Sequence, residues 1–83
     1  MPYISQERRK ELDAGAPFST HPGELNYSMA RIVDRYVLSC GTNYRTFNDV
    51  IGALDALKME IYTRFVRPYE DKKIGEHGDV FTF

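Results

Sequence analysis

Apolar residues recur every three or four positions along two stretches of this chain, the spacing that gathers side chains onto one face of a helix. In the first stretch Leu25, Met29, Ile32, Val33, Tyr36 and Cys40 share a face. Pro22 suits the first helical position, Glu24 sits in the first turn where negative charge is favoured, and Gly41 supplies the stop. In the second stretch Val50, Leu54, Leu57, Ile61 and Phe65 fall in a narrow arc. Thr46-Phe47-Asn48-Asp49 ahead of it has the form of a capping box with Asp in place of Glu, so the helix is expected to start there. The two arcs are expected to meet as the core of an antiparallel helix pair.

The rest of the chain is read around that pair. Ser5 is a candidate N-cap for a short first helix over Gln6 to Asp13, ended by Gly15 and Pro17 and docked through Tyr3, Ile4 and Leu12. Ala14 to Thr20 reads as a loop with Phe18 tucked inward, and His21 as a cap or loop residue. The far face of the second helix, Tyr27, Arg31, Asp34 and Leu38, reads as surface or contact patch. Gly52 and Ala56 leave a shallow groove on the third helix.

Met59, Tyr62 and Val66 give that helix a second apolar surface, expected to be covered by the C-terminal tail and by a self-association contact. Pro68 lacks an N–H and clashes one turn back, so a kink or break is expected there, with further helical turns over Tyr69 to Ile74. Gly75 and Gly78 permit a turn, and Val80 to Phe83 alternates as a short strand that could pair with Pro2-Tyr3-Ile4. The expected fold class is therefore all-α: a single helical domain over residues 1–83, with a short N-terminal helix, an antiparallel pair and a tail packed back on it.

Composition narrows the function classes. Eleven basic residues against twelve acidic ones leave a formal net charge of −1, which gives no long-range field for nucleic acid or an anionic membrane. Arg8, Arg9 and Lys10, flanked by Glu7, Glu11 and Asp13, read as a solvated face. No apolar run is long enough to span a bilayer. The single cysteine, Cys40, forms no internal disulfide and reads as a small buried hydrophobe, and a reducing cytoplasm fits. Of the six tyrosines, interface use is the better reading.

The candidate chemistry clusters where the third helix meets the tail. Glu60 and Arg64 are spaced for a helical ion pair, with Arg67 one turn on. With Tyr69 they could line a polar pocket in which Arg64 holds an anionic group. Glu70, Asp71, His77 and Asp79 form a loose set without the ligand spacing of a zinc site or an EF-hand. The candidate ligand- or partner-binding residues are thus Glu60, Arg64, Arg67, Tyr69, Glu70 and Asp71. No catalytic residue, metal site or cofactor is assigned.

Met1-Pro2-Tyr3-Ile4, Gly23-Glu24-Leu25-Asn26-Tyr27, the run from Asn48 to Leu54, Glu60-Ile61-Tyr62 and Pro68-Tyr69-Glu70-Asp71-Lys72-Lys73-Ile74 together resemble a family of small uncharacterised proteins associated with bacteriophages and prophage segments. Residues 13–22 and 38–45 are the least similar. His77-Gly78-Asp79-Val80 departs at its first residue from the family's Asn-Gly-Asp-Val ending, and Phe81-Thr82-Phe83 extends past it. The resemblance implies a phage or prophage context, a compact helical fold and the host cytoplasm, and it brings no activity.

The expected function is a non-enzymatic interaction or ligand-sequestering protein acting as a helical oligomer on a host or phage protein or a small anionic ligand. The alternatives are a small metal-dependent nucleotide hydrolase using Glu60, Glu70 or Asp71, and a nucleic-acid-binding regulator, which lacks a basic face.

Overall fold

The computed structural model describes residues 3–83 and is all-α, with no strand among the described residues. Its elements are α1 (Gln6–Asp13), α2 (Pro22–Cys40), α3 (Tyr44–Ile61), a five-residue π turn (Tyr62–Val66) and α4 (Arg67–His77). The chain divides into two compact units, Met1–Phe47 and Asn48–Phe83, with the boundary inside α3.

In the first unit the local signals act as the sequence suggests. The Ser5 hydroxyl accepts from the Arg8 N–H at 3.1 Å, opening α1. His21 Nδ1 accepts from the Gly23 N–H at 3.0 Å with Pro22 as the first helical residue, opening α2. Gly41, at φ +104°, ends α2, and its N–H bonds the Val37 carbonyl. Only glycine adopts that backbone cheaply. The start of α3 differs from expectation. Asn43, not Thr46, is the cap: its Oδ1 accepts from the Thr46 N–H at 2.9 Å, which brings the helix start forward to Tyr44. An Asn side chain reaches the third amide of the helix as readily as a Thr hydroxyl does, and Thr46 itself is buried inside the first turn.

The packing of α1 on α2 uses a face of α2 that periodicity assigns to the surface. Glu24 and Tyr27 are each only 7% exposed, and with Arg31 they are spaced three and four apart toward α1. Within the first unit the apolar arc of α2 is only partly covered: Met29 and Val33 are half-buried, Leu25, Ile32 and Tyr36 are exposed, and Cys40 is exposed rather than buried. Phe18 lies outward, and so does Tyr3, while Ile4 and Leu12 are half-buried. Because α1 carries one large apolar residue, it has little area to bury and docks through charge and hydrogen bonds instead.

The second unit is one helical path followed by a short tail. Pro68 neither breaks nor ends it. Proline has no N–H for the carbonyl four residues back, and its ring crowds that carbonyl. The chain answers by widening one turn: the Arg67 N–H bonds the Tyr62 carbonyl, five residues back, and helix resumes with Pro68 in the first turn of α4. A single-turn π bulge is a known way for a helix to absorb such a defect. The expected turns over Tyr69 to Ile74 are present and run on to His77, where Gly78 at φ +84° closes the helix.

Within this unit nothing covers the arc meant to be a core, and Leu54 39%, Leu57 53%, Ile61 46% and Phe65 65% are exposed. The tail does not cover the second surface either. Val80, Phe81 and Phe83 are exposed, Phe81 and Phe83 meet each other with ring centroids 5.4 Å apart, and Met59, Tyr62 and Val66 stay open. Val80 to Phe83 forms no strand, and its expected pairing partner falls in part on Pro2, outside the described residues.

Candidate functional site

The polar side chains of the second unit gather around the π turn. The Tyr62 O–H donates to Glu70 Oε2 at 2.8 Å, spanning the widened turn. Arg67 Nε lies 3.0 Å from Asp71 Oδ1, and Arg64 Nη1 donates to Glu60 Oε1 at 3.1 Å. Lys73 sits 5.5 Å over the Tyr69 ring and 3.4 Å from Glu76. The Glu70 carboxylate raises the Tyr62 hydroxyl above its ordinary pKa, chiefly through their hydrogen bond. Asp71, and after it Tyr62, raise Arg67 further above the ordinary arginine range. These are surface pairs, and each contributes little to stability.

All six residues singled out from the sequence therefore lie on one helical segment, and only some are brought together: Tyr62 bonds Glu70 and also engages Arg67, which pairs with Asp71, whereas Glu60 pairs with Arg64 and Tyr69 with Lys73. The tail residues expected to close a pocket over this segment, Val80, Phe81 and Phe83, are themselves exposed. Among the described residues no three His, Cys, Asp or Glu side chains are grouped to hold a metal ion. Tyr62, read from the sequence as a packing residue, is the one that sequence reasoning missed. Pro68 was the available signal, since a proline six residues after it forces the turn that sets its hydroxyl against Glu70.

What dominates this unit is apolar. Along Asn48–His77 the side chains of Ile51, Leu54, Leu57, Ile61, Phe65 and Tyr69 are all exposed, and the unit holds nothing that packs over them.

The first unit holds a separate charged cluster. Arg8 meets Glu24 with two bonds, Nε to Oε2 at 2.8 Å and Nη2 to Oε1 at 2.9 Å, and also donates to the Pro17 carbonyl at 2.8 Å. The Ser19 N–H donates to Glu24 Oε1 at 2.9 Å. The hydrogen bond from Arg8, followed by that from Ser19, holds the Glu24 carboxyl down to about 2. The solvated face expected of Arg8 is thus a clamp between α1, the loop and α2. No local pattern announces it, because its partner lies 16 residues away. Beside it the Tyr27 O–H reaches both Asp13 oxygens at 2.9 Å, and the Arg9 guanidinium lies 5.5 Å over the Tyr27 ring. Burial first, and Asp13 second, raise the Tyr27 pKa. An open groove of about 340 Å³ follows along α2, lined by Asp13, Arg31, Ile32, Asp34, Arg35 and Leu38.

Taken with its sequence, this helical chain belongs to the family described as domain of unknown function (DUF6899), whose model matches residues 1–80 and leaves Phe81 to Phe83 outside. Neither the curated proteins nor the solved structures contain a match. No helix among the described residues is long and apolar enough to cross a membrane.

Proposed function

We propose that this chain is a non-enzymatic protein-interaction module that works as a helical oligomer, with the open apolar arc of Asn48–His77 as its contact surface. One observation carries the reading: Leu54, Leu57, Ile61 and Phe65 are exposed on a helix that nothing in its own unit covers. A helix in water draws most of its stability from burying such a face, and an exposed apolar stripe of this length marks an association surface. Capture of a small anionic ligand has weaker support. Arg64 and Arg67 already face Glu60 and Asp71 on an exposed helix surface. A hydrolase built on Glu60, Glu70 and Asp71 would need those carboxylates to share one ion, whereas each is engaged by a different donor. A phage or prophage setting, and with it the host cytoplasm, is proposed from the sequence resemblance alone. The test is mass in solution by light scattering or sedimentation: an assembly of two or more chains at micromolar concentration supports the proposal, and a strict monomer at high micromolar concentration overturns it.

A further inference from the structure

We propose that His21 makes the start of α2 an acid-sensitive joint, closed while its imidazole is neutral and loosened when the ring takes up a proton in the pH range of histidine. The inference concerns the first unit and stands apart from the association surface of the second. His21 Nδ1 accepts from the Gly23 N–H at 3.0 Å, which it can do only through a free lone pair. A doubly protonated imidazole has no acceptor left. It also sets a positive charge at the end of a 19-residue helix whose dipole is positive there. The usual capping side chains, Ser, Thr, Asn and Asp, keep their acceptor near neutral pH, and a histidine in their place does not.

Burial makes the loss count. Gly23 and Glu24 are both buried, so water is poorly placed to take over the Gly23 N–H, and an amide left without a partner there is costly. The same turn is tied to the loop and to α1. The His21 N–H donates to the Ser19 hydroxyl at 3.2 Å, the Ser19 N–H donates to Glu24 Oε1 at 2.9 Å, and Arg8 of α1 holds both Glu24 oxygens. Fraying of the first turn therefore reaches Ser19. The charged groups assembled at this joint are Glu24 on α2 and Arg8 and Glu11 on α1, and Arg8 pairs with both carboxylates. Among the described residues no carboxylate pairs with His21 to favour the added proton. Glu24 stays ionised through the histidine range, its carboxyl being held at about 2. The Arg8 bond thus outlasts the cap, and acid loosens α1 without releasing it.

The test is a titration of the isotope-labelled full chain, followed by nuclear magnetic resonance from about pH 8 to about pH 5, the span in which histidine changes charge. The chain carries His77→Gln, at a side chain 74% exposed, which leaves His21 as the one histidine. The Gly23 and Ser19 amide signals should move with the same midpoint as the His21 ring protons. Thr46, whose amide is capped by the non-titrating Asn43, should stay still. Exchange of the Gly23 amide, corrected for its intrinsic dependence on pH, should quicken by roughly fivefold at the acid end, the equivalent of one helix cap. His21→Asn supplies a cap without a titrating group and should hold both amides steady throughout. A His21 ring that titrates while Gly23 and Ser19 do not respond overturns the proposal, and so does an equal response in His21→Asn. A response shared by Thr46 overturns it as well, because it marks general acid unfolding. If His21→Asn fails to fold, the comparison of Gly23 and Ser19 with Thr46 in the His77→Gln chain decides alone.

Discussion

Arg8 and Glu24 face one another as a two-bond ion pair in which one carboxylate oxygen also receives the Ser19 amide, so a single side chain from α2 secures both α1 and the loop between them. Such forked pairs fix direction as well as distance. With α1 nearly devoid of apolar area, this contact and the Tyr27–Asp13 bond decide where it docks.

The pair makes stability depend on pH. Glu24 titrates at about 2 in the folded chain against an ordinary value of 4.5. Its folded pKa is depressed, so its contribution is fully present above about pH 4.5 and is lost as the pH falls toward 2. The melting temperature of the wild type should drop across that window. Glu24→Gln should melt lower at neutral pH and show a flatter profile between pH 4.5 and 2. A variant whose acid profile matches the wild type would mean that other carboxylates carry the effect.

Asn43→Ala removes the side-chain acceptor for the Thr46 amide at the start of α3. A cap of this type is worth about 1 kcal/mol, and the loss should appear as a lower denaturant midpoint with an unchanged slope. Thr46→Ser, which leaves that amide and its acceptor in place, should cost less.

Pro68→Ala restores a backbone N–H and removes the ring that crowds Arg64. The π turn should relax to regular helix. Hydrogen exchange of the Tyr62 to Val66 amides should slow, and the helical signal should rise. Part of the roughly 3 kcal/mol that proline costs inside a helix should be recovered as stability. Unchanged exchange across residues 62–66 would show that the bulge has another cause.

Leu57→Asp places a charge in the middle of the exposed arc. The side chain is 53% exposed, so the isolated chain should lose little. Assembly should weaken by about a hundredfold, the equivalent of roughly 3 kcal/mol for a buried, unpaired polar group. Sedimentation of the variant beside the wild type at matched concentration measures it.

Helix ends are the most legible part of this chain, because caps act within three or four residues. Ser5, His21 with Pro22, and Gly41 behave as their local chemistry dictates. Asn43 is masked in the sequence because Thr46 offers a competing cap three residues later, and only geometry decides between two good acceptors. Periodicity shows correctly that α2 and α3 have apolar faces. It does not say what covers them, and for Leu54, Leu57 and Ile61 nothing within their own unit does. Arg8 and Tyr27 escape local rules for a related reason: their partners, 16 and 14 residues away, lie across a loop whose path no such rule specifies. The polar candidates from Glu60 to Asp71 fall on the segment expected of them. Glu60 and Arg64 keep the four-residue pairing that the spacing suggests, whereas the link from Tyr62 to Glu70 spans the π turn, which a rule offering only kink or break at Pro68 does not foresee.

That widened turn also acts as an angular offset. Each residue of an α-helix advances it by about 100°, so one surplus residue between Ile61 and Arg67 swings Arg67, Glu70 and Asp71 around the axis relative to Leu54 and Leu57. Deleting a single residue within 62–66 would leave a continuous rod yet re-aim every charged group of α4, and evolution could thereby retune partner choice without touching the apolar stripe.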